Sequence, residues 1–146
     1  MKKFILSAVL SVFIAASSFA ADANKVNSKA AIAFKEEFTA AQNVQWTSTE
    51  DYVRASFTLD NKNMEAFYDK QGNMIGTSST ISISDLPTNA KRSFAKKYAD
   101  FTVKEAIQFI GNDETSYYVS AENEAQSVVL KISVEGFISV FKSVRK

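Results

Sequence analysis

Residues 64–98 read MEAFYDKQGNMIGTSSTISISDLPTNAKRSFAKKY, and they contain strand, turn and helix signals in close succession. Two strands rich in β-branched and aromatic residues flank a turn at residues 69–72. Gly72 permits left-handed backbone conformations that β-branched residues resist. Pro87 has a fixed φ suited to the first turn of a helix, so we predict a helix over about residues 87–99.

Hydrophobic spacing predicts the other elements of the chain. Phe34 and Phe38 lie one turn apart on a helix that we predict over about residues 28–41. Apolar and polar residues alternate over residues 52–59, as is typical of a half-buried strand. The single Trp, Trp46, is interpreted as a core residue. By the same patterns we predict strands over residues 44–47, 52–59, 64–68, 73–83, 103–110, 117–121, 127–134 and 137–144.

The two halves of this order resemble each other, because each contains one helix followed by about four strands. Phe34 and Phe38 in the first helix correspond to Phe94 and Tyr98 in the second. We therefore predict the α+β class, with two helix-plus-strands repeats forming one antiparallel sheet of six to eight strands and both helices on one face. The repeats are expected over about residues 28–83 and 84–146. The four rings are expected to be buried against sheet residues, namely Val53, Phe57 and Leu130.

Residues 1–20 have the features of a secretory signal peptide. Lys2 and Lys3 precede an apolar run over residues 4–16, and small residues stand before a cleavage site after Ala20. The apolar run is shorter than the roughly 20 residues that a membrane-spanning helix needs. We predict a mature chain of residues 21–146 that is periplasmic or secreted and has no membrane anchor after signal cleavage. Because the sequence has no Cys, disulfides and a lipid anchor on cysteine are excluded.

The composition argues against several classes of function. Without Lys2 and Lys3, 15 of the 17 Lys and Arg residues remain against 16 Asp and Glu, a net charge of −1 that gives no case for nucleic acid binding. With no His and no Cys, the commonest general base, the thiol nucleophile and the usual zinc, copper and haem ligands are missing. The four Gly residues lack the spacing of a phosphate-binding loop. We predict a protein that is not an enzyme and has no cofactor and no metal site.

Several motifs, most of them in the first half, occur in a fixed order: F-x3-F on a helix, A-x-x-V-x-W, Y-x-A-x-F, A-x-Y-D-x-x-G-x-x-I, and L-P before the next helix. In this chain they are Phe34–Phe38, Ala41–Trp46, Arg54–Phe57, Ala66–Ile75 and Leu86-Pro87. This pattern resembles the PepSY-like domain of secreted bacterial proteins, over nearly all of the mature chain. That family is similar in architecture to β-lactamase inhibitor protein, so the resemblance implies a binding or inhibitory module.

The sheet face away from the helices is the candidate binding surface. Tyr, Phe and Arg are typical of hot spots in protein interfaces, and that face is predicted to carry Tyr52, Arg54, Phe67, Tyr118, Phe137 and Phe141. We predict a non-catalytic module that binds another envelope or secreted protein. Binding of a small lipid or peptide in a curved sheet is the alternative, and a third interpretation has loops or a dimer mate covering the rings. As exposed residues, Phe67 and Tyr118 are expected to tolerate Ala with nearly unchanged thermal unfolding.

Overall fold

The structure, a computed structural model, describes residues 28–146; the predicted signal peptide, residues 1–20, lies outside the described residues. Two α-helices are present, α1 (Ser28–Glu37) and α2 (Thr88–Lys97), with a short 3₁₀ helix at Ile83–Asp85. The strands are β1 (Gln42–Ser48), β2 (Val53–Leu59), β3 (Lys62–Tyr68), β4 (Met74–Ile81), β5 (Thr102–Gly111), β6 (Thr115–Glu122), β7 (Gln126–Ser133) and β8 (Ile138–Arg145).

One antiparallel sheet dominates the fold, and its eight strands lie in the order β1 to β8. Strands make up 53% of the structure, and residues 28–146 contain only the two α-helices. The α+β class with a single sheet is confirmed, but the description as two helix-plus-strands repeats is wrong. Because the strand order runs without interruption through the sheet, the fold is one meander to which two helices are added. The similar spacing of aromatic residues in the two helices reflects how a helix packs on a sheet and does not define a repeat.

The chain divides into two compact units, with the boundary between Ser78 and Ser79. In the first unit, α1 packs on β2 and β3 through Phe34, whose ring meets that of Phe57 edge-on with centroids 4.9 Å apart. This confirms the predicted burial of Phe34 against the sheet. Phe38 is only partly buried, although its ring lies 4.8 Å from the same Phe57 ring. The buried residues of this core are Ala30, Phe34, Val53, Ala55, Phe57, Ala66 and Tyr68.

The second unit has its own core between α2 and the strands β5 to β7. Phe94 is 8% exposed and belongs to one cluster with Leu130, as predicted. Tyr98 stacks on Phe94 at 5.7 Å but stays partly exposed. The buried residues of this core are Leu86, Ala90, Phe94, Ala106, Tyr117, Val119, Ala121, Val128, Leu130 and Ile132.

A glycine turn touches the start of each helix. Gly72, after β3, has a φ of 88°, and a Cβ added there would lie 2.5 Å from the Cβ of Lys29 in α1. Gly136, after β7, has a φ of 93°, and a Cβ there would lie 2.8 Å from the carbonyl carbon of Asn89 in α2. Both positions therefore combine a backbone conformation that favours Gly with a space that no side chain can occupy.

Asp69 fixes the turn between β3 and β4, in the place that the sequence predicts. Its Oδ1 accepts hydrogen bonds from the backbone N–H groups of Gln71 at 2.9 Å and Asn73 at 2.8 Å. Nδ2 of Asn73 also donates to Oδ2 of Asp69 at 2.9 Å. This side-chain bond, followed by the backbone bonds, holds the pKa of Asp69 below its usual value. No helix within residues 28–146 is long and apolar enough to cross a membrane.

Candidate functional site

Three of the six predicted binding residues are buried. Tyr52 is 8% exposed, Phe67 0% and Tyr118 2%, so the prediction that these rings are exposed is wrong. The reason is visible along the strands: four successive residues are buried in β3, Glu65–Tyr68, and four in β6, Ser116–Val119. A strand buried on both faces does not show the alternation that a half-buried strand shows. Their role in partner binding stays a prediction.

The predicted residues lie in two groups, one in each unit. In the first unit the rings of Tyr52 and Phe67 have centroids 5.8 Å apart, and Arg54 lies opposite Phe67 across the β2–β3 pair. In the second unit the ring of Phe141 meets that of Tyr118 edge-on at 5.6 Å. Among the six residues, only Phe137 is largely exposed.

A buried polar cluster surrounds Glu65, a residue that the sequence does not single out as functional. Glu65 is 7% exposed, and its Oε1 lies 3.5 Å from Nη1 of Arg54. The hydroxyl of Ser56 donates to Oε1 at 3.3 Å, and that of Ser78 donates to Oε2 at 3.2 Å. Burial raises the pKa of Glu65, while the Arg54 charge and the two hydroxyls oppose that change. The β2–β3 register, in which Ser56 lies opposite Glu65, brings these side chains together, and the sequence alone does not show it.

Replacing Glu65 by Gln is expected to increase the free energy of unfolding, relative to the wild type, progressively as pH rises. A raised carboxyl pKa in the folded state contributes stability below the ordinary value of 4.5, and this contribution is lost as pH rises through the folded-state pKa. Gln does not titrate. Urea unfolding of both proteins between about pH 4 and 8 measures the difference. Glu124→Gln, at an exposed turn position, is the control. A difference that is the same at every pH would contradict the prediction.

Two tyrosine hydroxyls are buried and have no hydrogen-bond partner among residues 28–146. They belong to Tyr68 and Tyr118. Burial raises the pKa of Tyr68 to about 12 and that of Tyr118 further in the same direction. Both phenols therefore stay protonated near neutral pH. Within the described part of the chain, no group of three or more acidic side chains is placed to hold a metal ion.

The most exposed large apolar side chains of the second unit lie in β8 and directly before it, at the end of the sheet. We call Phe137, Val140 and Val144 the β8 strip; they are 77%, 56% and 53% exposed. Because β8 is the last strand in the order, it has one neighbouring strand among residues 28–146. Two exposed cations alternate with these apolar residues along the chain: Lys142 lies between Val140 and Val144, and Arg145 follows Val144.

An irregularity in the β7–β8 pair sets the direction of Phe141. Leu130 lies opposite Val140 and Val129 opposite Lys142, so Phe141 has no partner in the register. Such a bulge turns an extra side chain to one face. Here it places Phe141 against Tyr118, on the sheet face away from α2.

A groove of about 300 Å³ with a mixed apolar and polar lining lies between α1 and β1. Trp46 packs against the core of the first unit, as expected, and stays partly exposed at this groove. Its ring meets that of Phe34 edge-on with centroids 5.3 Å apart, and Trp46 lines the groove. The groove is lined by Ala31, Phe34, Lys35, Phe38, Thr39, Ala41, Val44 and Trp46.

The fold places the chain in a structural class that also contains a BLIP-like protein from Bacteroides fragilis, with a TM-score of 0.67 at 20% identity over 82% of this chain and 85% of the other. A DUF2874 family protein from Bacteroides uniformis has a TM-score of 0.73 at 14% identity, over 82% and 89% of the two chains. A candidate periplasmic protein from Bacteroides eggerthii has a TM-score of 0.74 at 12% identity, over 82% and 88%.

At these identities the likeness shows the fold alone. It supports the predicted similarity in architecture to β-lactamase inhibitor protein. No family model and no curated protein matches the chain, so the PepSY-like resemblance stays a prediction.

Proposed function

We propose that the mature protein is a periplasmic or secreted, non-catalytic module that binds another protein through the β8 strip. The observation that carries the proposal is the exposure of three apolar side chains, Phe137, Val140 and Val144, on one edge of the sheet. Exposed apolar side chains concentrated along one element of a folded domain commonly mark an interaction site. The absence of His and Cys from the sequence supports a non-catalytic role.

The fold neighbours support the proposed compartment and the proposed kind of function. One of them is described as a candidate periplasmic protein, and another as BLIP-like. The signal-peptide features of residues 1–20 agree with export. Because fold similarity does not fix function, the identification of the binding surface rests on the exposed residues of this chain.

Phe137 is the expected anchor of the interface. It is the most exposed large apolar residue of the described chain, and aromatic anchors contribute most to many interfaces. Replacing it by Ser is expected to weaken partner binding by roughly thirtyfold, the equivalent of about 2 kcal/mol. Quantitative capture from an envelope extract of the producing organism, followed by titration of the enriched partner, measures this loss.

Ile32→Ser is the matched control for this measurement. Ile32 is 58% exposed on α1, in the other unit, so its replacement removes a similar amount of exposed apolar surface away from β8. The proposal requires that the partner be retained by this control and lost by Phe137→Ser. Equal recovery of the same proteins on both variants and on the wild type would refute binding through the β8 strip.

Binding of a small ligand in the α1–β1 groove is a second candidate function. The groove volume of about 300 Å³ is at the lower limit of typical ligand pockets, and its lining combines aromatic side chains with Lys35. Trp46 is the only Trp of the chain, so its fluorescence reports directly on occupation of this groove.

A further inference from the structure

We infer that β8 binds an extended, acidic segment of its partner as an additional strand of the sheet. The inference rests on the proposed function and specifies the mode of binding and the chemistry of the partner. β8 has β7 on one side and no neighbouring strand on the other among residues 28–146. An edge strand presents unpaired backbone N–H and C=O groups, and adding a strand satisfies them.

The charge of β8 selects an acidic partner. From Phe137 to Lys146 the chain contains three basic residues and no acidic residue. Lys146 pairs with Glu122 at 3.2 Å, whereas Lys142 and Arg145 are exposed and have no ion pair among the described residues. Carboxylates on a neighbouring strand would neutralise these two cations, since opposite charges across a strand pair stabilise it.

The same charges disfavour a second copy of this chain as the added strand. If the β8 strands of two copies paired, Lys142 and Arg145 of both copies would bring four cations close together. Neither strand contains an acidic residue to compensate for them. A segment of a different protein that combines acidic and apolar residues meets both requirements of the strand.

The register of the β7–β8 pair defines where those residues are needed. Val140 lies opposite Leu130 and therefore on the face that packs against α2. Lys142 lies opposite Val129, on the other face, and Val144 follows it there. A fitting segment is apolar beside the two valines and acidic beside Lys142. The bulge at Phe141 and the charge of Lys142 hinder pairing with strands of unrelated sequence. The edge therefore favours a segment with the apolar and acidic positions just described.

Two synthetic peptides of about eight residues serve as probes. The Val-Glu peptide has Glu at the position beside Lys142 and Val at the positions beside Val140 and Val144. The Val-Lys peptide has Lys in place of each Glu. The Val-Glu peptide is expected to slow amide hydrogen exchange along β8 and leave the exchange of β6 unchanged. The Lys142→Glu, Arg145→Glu double variant is expected to bind it at least about tenfold more weakly. The Lys96→Glu, Lys97→Glu variant, which makes the same charge change on exposed residues of α2, is expected to bind it as the wild type does.

Equal binding of both peptides, or equal weakening by both double variants, would overturn the inference. So would protection of β8 that rises with protein concentration without peptide, because the added strand would then be a second copy. If β8 gains no protection while Phe137→Ser still loses the envelope partner, strand addition is refuted and the proposed function stands. If Phe137→Ser also retains the partner, the proposed function fails as well.

Discussion

Replacing Phe67 by Ala is expected to lower the free energy of unfolding by roughly 3–5 kcal/mol. The side chain of Phe67 is 0% exposed in β3 and packs beside the ring of Tyr52. Its removal takes away apolar burial and leaves a cavity that neighbouring strands can close only in part, because cores are densely packed. Urea unfolding followed by circular dichroism measures the loss, and an unchanged slope with urea concentration would show that the compactness of both states is retained.

Phe137→Ala is the control for this experiment, because it removes the same group from a ring that is 77% exposed. Its effect on stability is expected to stay within about 0.5 kcal/mol. If Phe67→Ala unfolds at the same urea concentration as the wild type, the ring is accessible, as its alternation in the sequence predicts, and the burial of β3 on both faces is refuted.

Replacing Gly72 by Ala is expected to lower the free energy of unfolding by about 3 kcal/mol or more. An L-residue at a φ of 88° is strained, and the added Cβ would lie 2.5 Å from the Cβ of Lys29 and 2.9 Å from the backbone nitrogen of Ala30. The second contact involves helix backbone, so α1 itself must move away from the turn. Thermal unfolding by calorimetry measures the effect.

Gly111→Ala is the comparison for this substitution. Gly111 does not require a left-handed backbone, and a Cβ there would meet the ring of Phe109 at 3.0 Å rather than helix backbone. Its loss of stability is expected to stay below about 1 kcal/mol. A Gly72→Ala protein that is as stable as Gly111→Ala would show that the turn does not press on α1.

The elements themselves were predictable because their signals are local. The spacing of Phe34 and Phe38, the alternation in β2 and the turn chemistry around Gly72 each depend on a few adjacent residues. The predicted bounds of α2, residues 87–99, differ from the observed Thr88–Lys97 by one or two residues at each end. Uncertainty of this size is usual for helix ends, which fray.

The burial of the second sheet face was not predictable from the same patterns. Alternation shows which residues of a strand share a face, but it does not show whether that face is covered. Phe67 and Glu65 share one face of β3, and both are buried although one is apolar and the other charged. Phe141 lies on the predicted sheet face, away from α2, but the sequence does not show the bulge of one residue that interrupts the β7–β8 register there.

The order of strands in the sheet also bears on how the chain folds. β2 and β3 are joined by only Asp60 and Asn61, both with left-handed φ, so this hairpin closes with little loss of chain entropy. Each later strand likewise adds to the one before it. Contacts between residues close in sequence allow rapid folding. A chain with this topology can therefore begin to fold from its N-terminal hairpins before its C-terminal strands have been synthesised.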